Sequence, residues 1–198
     1  MERLVLARHG ESEYSSRGLI NGDPTVAVAL TERGREEARL LGEELENDPF
    51  QLCVVSELGR TRETAELVLE GRDVPIEVMP ELNDPRAGRF EGLHLDEYRK
   101  WAWTTGSAEE APGGGESRVA AVQRYVRGYR AVLDRHEIEV LAVLHALPIA
   151  YVLAALEGRP PAARMDLPIE HAHAYRLTRE ELERAVEVLE TWHAAPTW

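Results

Sequence analysis

Arg8-His9-Gly10-Glu11-Ser12 joins residue types that suit phosphoryl chemistry. A neutral imidazole nitrogen is a nucleophile, and a phosphoryl group is an acceptable electrophile once its charge is masked. The arginine beside it offers a planar fork of donors matched to phosphate oxygens. The glycine after it lets backbone approach a ligand closely. A second histidine, His145, ends an apolar run at residues 140–144, and Arg60 follows Ser56-Glu57-Leu58-Gly59. A protonated imidazole and a second guanidinium there would stabilise the oxygens of a transferring phosphoryl group. Phosphoryl transfer is mostly positioning plus charge neutralisation, so this set suffices without a metal. Taken singly, each has a plainer reading: His145 as a satisfied core histidine, Arg60 as a solvated helix residue.

The elements around these residues give the chemical reading its weight. Residues 3–7 predict a short buried strand that opens into Arg8-His9. Residues 31–47 have helical period, with Ala38, Leu41 and Leu45 on one stripe and Thr31 as N-cap. Strands are expected at 52–55, 76–79 and 140–144, with helices over 59–70, 95–103, 116–135 and 147–156. Asp84-Pro85, Gly88 and Gly92 make 83–92 a loop, and 112–115 is a glycine-rich break. The tail predicts two strands, 174–177 and 185–191, joined by a charged turn. Strands alternating with helices imply an α/β fold whose mostly parallel sheet is covered on both faces. Ligands bind such sheets at the carboxyl ends of the strands. His9, the 56–60 segment and His145 all follow directly after predicted strands, so they should converge on one sheet edge.

The chain has 198 residues, which suits a single domain. Its net charge of -13 argues against nucleic acid and anionic membranes as partners, and a phosphate ester would need a local positive pocket. One cysteine, Cys53, allows no intrachain disulfide and sits in an apolar run as a buried thiol. With no run near 18 apolar residues and no signal-like start, the expected compartment is the cytoplasm. Trp192 and Trp198 are expected to cover a sheet edge or a partner subunit, which makes a homodimer one expected assembly.

Residues 4–12, Leu-Val-Leu-Ala-Arg-His-Gly-Glu-Ser, closely resemble the signature of the histidine phosphatase superfamily, which includes cofactor-dependent phosphoglycerate mutases. Further elements resemble that family in the same order. They are Asn21-Gly22-Asp23-Pro24 running to Leu30-Thr31-Glu32-Arg33-Gly34, then Ser56 to Ala65, then Pro80-Glu81-Leu82-Asn83-Asp84 with Gly88 to Gly92. Pro112 to Ser117 and Val143-Leu144-His145-Ala146 complete the set. The resemblance covers about residues 3–178. It implies a three-layer sandwich with a small helical cap inserted at roughly 84–116, and no cofactor. It also implies that His9 becomes phosphohistidine, that Arg8, Arg60 and His145 bind phosphoryl oxygens, and that Asp84 is the general acid. Ser15, Asn21, Gly22 and Ala146 are implied at the substrate site. Asp84 stands where the mutases carry glutamate, Ser15 where many members have asparagine, and Ala146 where glycine commonly follows the second histidine. Glu81 is the fallback acid.

The expected activity is hydrolysis of a small-molecule phosphate ester, with phosphoglycerate mutase activity as the runner-up. No paired-arginine element follows the acid loop, which favours the phosphatase. Tyr98, Trp101 and Trp103 are expected either to form the cap core or to contact an organic leaving group. Two other classes stay in view. One is a metallohydrolase built on His9, Glu11, His145, His171 and His173, the last two sharing one strand face. The other is a phospholigand-binding protein without catalysis.

Overall fold

The computed structural model describes residues 1–165 and 167–198. One sheet holds β1 (Arg3–Arg8), β2 (Leu52–Val55), β3 (Ile76–Val78), β4 (Glu139–Leu144) and β5 (Ala174–Thr178), in the order β3-β2-β4-β1-β5. β1 to β4 are mutually parallel and β5 is antiparallel to β1. Arg8 pairs with Leu144, and Val55 with Val143. Three adjacent parallel strands therefore end side by side, and the residues just beyond them must meet.

The helices are α1 (Glu32–Glu44), α2 (Gly59–Val68), α3 (Leu95–Ala102), α4 (Arg118–Leu133), α5 (Ala146–Leu156) and α6 (Arg179–Ala194). Strand side chains alternate between the two sheet faces. Leu4, Leu6, Val54, Val140, Ala142 and Leu144 pack under α4, α5 and α6. Val5, Ala7, Cys53, Val55, Leu141 and Val143 pack under α1 and α2. The layers are thus helix, sheet, helix, as expected. A third, smaller cluster lies apart, where Ala87, Phe90, Tyr98, Ala102 and Ala111 close around α3 with Trp101 against them.

The tail departs from expectation. Residues 185–191 lie within α6, not in a strand. Thr178 caps α6 through a capping box with Glu181, which starts a helix where the charges suggested a turn. Leu182, Ala185, Val186, Leu189 and Trp192 then fall at helical spacing and are all buried. Trp192 belongs to this chain's own core and stacks on Trp198 with ring centroids 4.9 Å apart. Among the described residues, no helix is long and apolar enough to cross a membrane.

Candidate active site

The strand ends bring His9, Ser56 and His145 together at one edge of the sheet; His9 lines the cleft, whereas His145 and Ser56 are buried behind it and do not line it. His9 amide N–H extends the β1–β4 ladder by bonding Leu144 O at 3.0 Å, which fixes where its side chain emerges. The His9 and His145 rings lie 5.4 Å apart, edge to face, and both are buried. Arg60, on the first turn of α2, is 4% exposed and reaches between them. Its Nε donates to His9 Nε2 at 3.0 Å, and its Nη2 lies 3.2 Å from His145 Nδ1. Nη1 and Nη2 also donate to Asn21 Oδ1 and Asn21 O, at 2.7 and 3.0 Å.

This network assigns the histidine protons. His9 Nδ1 lies 2.7 Å from Gly10 O, so Nδ1–H donates there and Nε2 keeps its lone pair. Guanidinium groups only donate, so His145 Nδ1 accepts and Nε2–H donates to Ser56 Oγ at 2.8 Å. Burial first, then the nearby arginine charges, holds both imidazoles well below the usual histidine range. Both are neutral at neutral pH. That state suits a nucleophile at His9, and at His145 it leaves Arg60 as the positive charge beside the ring while no phosphoryl group is bound.

Arg8 is half-buried. Its Nη1 donates to Ile169 O at 2.8 Å, and its Nε is buried without a partner among the described residues. Asp84 Oδ2 lies 3.7 Å from Arg60 Nη2. Burial raises the Asp84 carboxyl above its ordinary range, while Arg60 and Arg8 pull it back. Burial also lowers Arg60 to about 10, which leaves it charged at neutral pH. The acid loop is held from two sides: Asn83 Oδ1 accepts from Glu57 N–H at 2.8 Å, and Arg124 Nη1 donates to Glu81 O and Asn83 O. Asp84 lines the cleft; the fallback residue Glu81 is not among its lining residues.

Arg8, His9, Ser15, Asn21, Arg60, Asp84 and Ala146 all line one cleft of about 480 Å³. Ser15 Oγ accepts from Ser12 N–H at 2.8 Å and so braces the turn after the His9 loop. Ala146 opens α5 directly after His145. Gly22 does not line the cleft, contrary to expectation. Its N–H donates to Glu91 Oε2 at 2.9 Å, and a Cβ there would sit 1.9 Å from Pro85 O. It serves the close passage of two loops that Glu91 clamps, since Glu91 Oε1 also accepts from Ala87 N–H.

Two features have no sign in the sequence, and a third residue, His171, takes a place other than the expected one. Ser56 was noted only as a lead into α2, yet it orients His145. Arg118 begins α4 and lines the cleft, with its guanidinium 5.2 Å from the Tyr98 ring centroid. His171 lies 5.7 Å from His9, and burial beside Arg8 lowers it to about 4. His171 and His173 do not share a strand face. β5 begins at Ala174, and Ala172 between the two histidines has a left-handed φ of 42°. His173 is exposed and packs on Tyr175. Among the described residues, no group of three or more His, Cys, Asp or Glu side chains has metal-holding geometry.

Comparison with known proteins agrees with this geometry. Residues 4–191 match the model of the histidine phosphatase superfamily (branch 1). An adenosylcobalamin/α-ribazole phosphatase of Salmonella typhimurium is 36% identical over 85% of this chain and 86% of that protein. A 2,3-bisphosphoglycerate-dependent phosphoglycerate mutase of Methylobacterium radiotolerans is 34% identical over 96% of this chain and 97% of its own. The crystal structure of the α-ribazole phosphatase from Shigella flexneri superposes with a TM-score of 0.76 at 31% identity, over 88% of this chain and 89% of that one. With paired imidazoles at the strand ends and a family match across nearly its whole length, this chain belongs to the histidine phosphatase superfamily.

Proposed function

We propose that this chain hydrolyses small phosphate monoesters in two displacements at phosphorus, both through His9. In the first, the His9 Nε2 lone pair forms the P–N bond and the ester P–O bond breaks. The departing oxygen takes the bond pair and the Asp84 proton. In the second, Asp84 carboxylate takes a proton from water, and the water oxygen attacks phosphorus. The P–N pair returns to Nε2, which leaves inorganic phosphate and a reprotonated Asp84. Arg8 and Arg60 bind the phosphoryl oxygens, and Ser56 holds His145 beside them. The segment 84–116 acts as the cap over the leaving alcohol.

One observation carries this reading. A neutral imidazole, with its lone pair facing a buried guanidinium, shares a pocket with a carboxyl whose pKa is raised. That combination is a nucleophile, an anion clamp and an acid together. It also argues against a binding protein without catalysis, because the acid position is occupied and tuned. The charged side chains neutralise the phosphoryl group themselves, so activity is expected to persist in chelator. A reducing, cytoplasmic setting fits the buried Cys53 thiol.

Mutase activity is the second reading, favoured by the mutase relatives and by Arg99 and Arg118 as further cations in the cleft. The mostly apolar lining of the outer cleft, including Leu19, Ile20, Leu147, Met165 and Leu167, favours the hydrolase. The test is phosphate release from α-ribazole phosphate, the phosphoglycerates and a wider set of phosphorylated metabolites, measured with chelator present. Isomerisation of phosphoglycerate is followed in parallel. Phosphate release well above isomerisation supports the hydrolase, and isomerisation without release overturns it.

A further inference from the structure

The cleft holds a second cation whose environment differs from that of the phosphate pocket. Arg118 is half-buried at the first turn of α4. Among the described residues it forms no ion pair; its one hydrogen bond is a long one, 3.5 Å from Nη1 to Tyr151 Oη. Its guanidinium lies against the face of Tyr98, a contact that leaves the edge donors of the fork free. Tyr98 also lines the cleft and is 4% exposed, and its hydroxyl is buried without a hydrogen-bond partner among the described residues. Buried polar groups are normally satisfied, so two under-used donors side by side are unusual. The surroundings are apolar: Leu95, Leu147 and Ala150 line the same cleft, with Trp103 at its rim. Arg118 lines the same cleft as Asp84 but shares no hydrogen bond with His9, Arg60 or Asn21, so it stands outside the network that holds the phosphate pocket.

We propose that Arg118 and the Tyr98 hydroxyl form a specificity site for the leaving group. The site would select phosphate monoesters whose alcohol part is a ring-sized, largely apolar body bearing an anionic or strongly accepting oxygen. The apolar wall takes the body of the alcohol, and the guanidinium and phenol meet its oxygen. A second phosphate or a short acid on a small polar chain would reach Arg118 but leave the apolar wall uncovered. This inference rests on the hydrolase reading and sharpens its substrate class.

The experiment compares phenyl phosphate with 3- and 4-carboxyphenyl phosphate, in the wild type and in Arg118→Met, Arg118→Lys and Tyr98→Phe. The intrinsic reactivity of each ester cancels when each variant is compared with the wild type. Removing Arg118 also alters the field at Asp84, and phenyl phosphate reports that shared effect. Arg118→Met should lower kcat/KM for the better carboxyphenyl ester by roughly tenfold or more beyond its loss on phenyl phosphate, chiefly through KM. Arg118→Lys keeps the charge without the fork and should fall between. Tyr98→Phe should cost roughly threefold on the same ester. Equal losses on all esters in Arg118→Met would overturn the proposal while leaving the hydrolase reading intact. Turnover of the metabolite esters above without turnover of any aryl ester would overturn the proposal alone; failure of the wild type on both sets would defeat both.

Discussion

The two ends of the cleft are built by different means. The phosphate end sits on the carboxyl ends of β1, β2 and β4 and is tied together through Arg60, which bonds His9, Asn21 and His145, although Arg8 Nε and His171 Nε2 are buried there without partners among the described residues. The alcohol end is assembled from α3, the start of α4 and α5, and Ala162, Ala163, Met165 and Leu167, with a largely apolar lining and with Arg118 and the Tyr98 hydroxyl loosely engaged. The first is pre-organised for one group and the second is shaped for a class of groups. A fixed anion clamp joined to a variable wall is how one scaffold serves many phosphate esters.

That contrast predicts a graded response to mutation. His9→Ala should remove the nucleophile and lower phosphate release by roughly 10⁴-fold or more, since groups acting as one unit fail together. Hydrolysis at the normal rate would dismiss the assignment. Asp84→Asn should cost roughly 10²–10⁴-fold in kcat on esters with poor leaving groups. It should also abolish the alkaline limb of the kcat/KM profile. The sign follows from the raised carboxyl: the acid form is the active one in the first step and is lost as pH rises. An alkaline limb unchanged in Asp84→Asn would move the acid elsewhere.

Gly22→Ala tests how the phosphate end is stapled. Its new Cβ would meet Pro85 O at 1.9 Å, so the loops must part and carry Asn21 away from Arg60. We expect a loss of about 1–3 kcal/mol in denaturant unfolding together with a fall in kcat. An unshifted midpoint would contradict the close loop passage. The smallest effect expected is on stability against pH. His9, His145 and His171 all have depressed values in the fold, so the unfolded chain takes up protons that the native protein excludes. Their stabilisation is complete above about pH 6.5, the unfolded histidine value, and declines as pH falls. For His171 the decline ends at about 4. Asp84, raised in the fold, opposes this: the native protein takes up its proton before the unfolded chain does, so the cost of its buried charge is relieved as pH falls toward the ordinary carboxylate range. Tm should therefore drop between about pH 7 and about pH 5, and a Tm flat across that range would mean these imidazoles are not buried as neutral rings.

The same division governs what could be read from the sequence. Arg8, His9, Arg60 and His145 were legible because short apolar runs reveal strands, and strand ends in a parallel sheet meet at one edge. Asp84 was legible only through family resemblance, since a lone aspartate before proline carries no geometric signal. Arg118 was hidden, because its helix showed itself through its apolar face and said nothing of what its first turn overlooks. Gly22 was assigned to substrate when its missing side chain serves loop packing. The pattern Thr178-x-x-Glu181 was the available sign that the tail turns into α6, and the charges between residues 179 and 184 obscured it. The left-handed Ala172 that separates His171 from His173 had no such sign, because alanine rarely adopts that conformation.

The central claim is that phosphorus passes through His9 Nε2. Its most direct test is to mix the protein with a rapidly cleaved aryl phosphate, quench in alkali within the first turnovers, and map the phosphorylated peptide by mass spectrometry. The account predicts an acid-labile, alkali-stable phosphoryl group on the peptide containing His9, formed as fast as the aryl alcohol is released and absent in His9→Ala. Steady turnover with no phosphorylated protein, or with the phosphoryl group on a different residue, would contradict it.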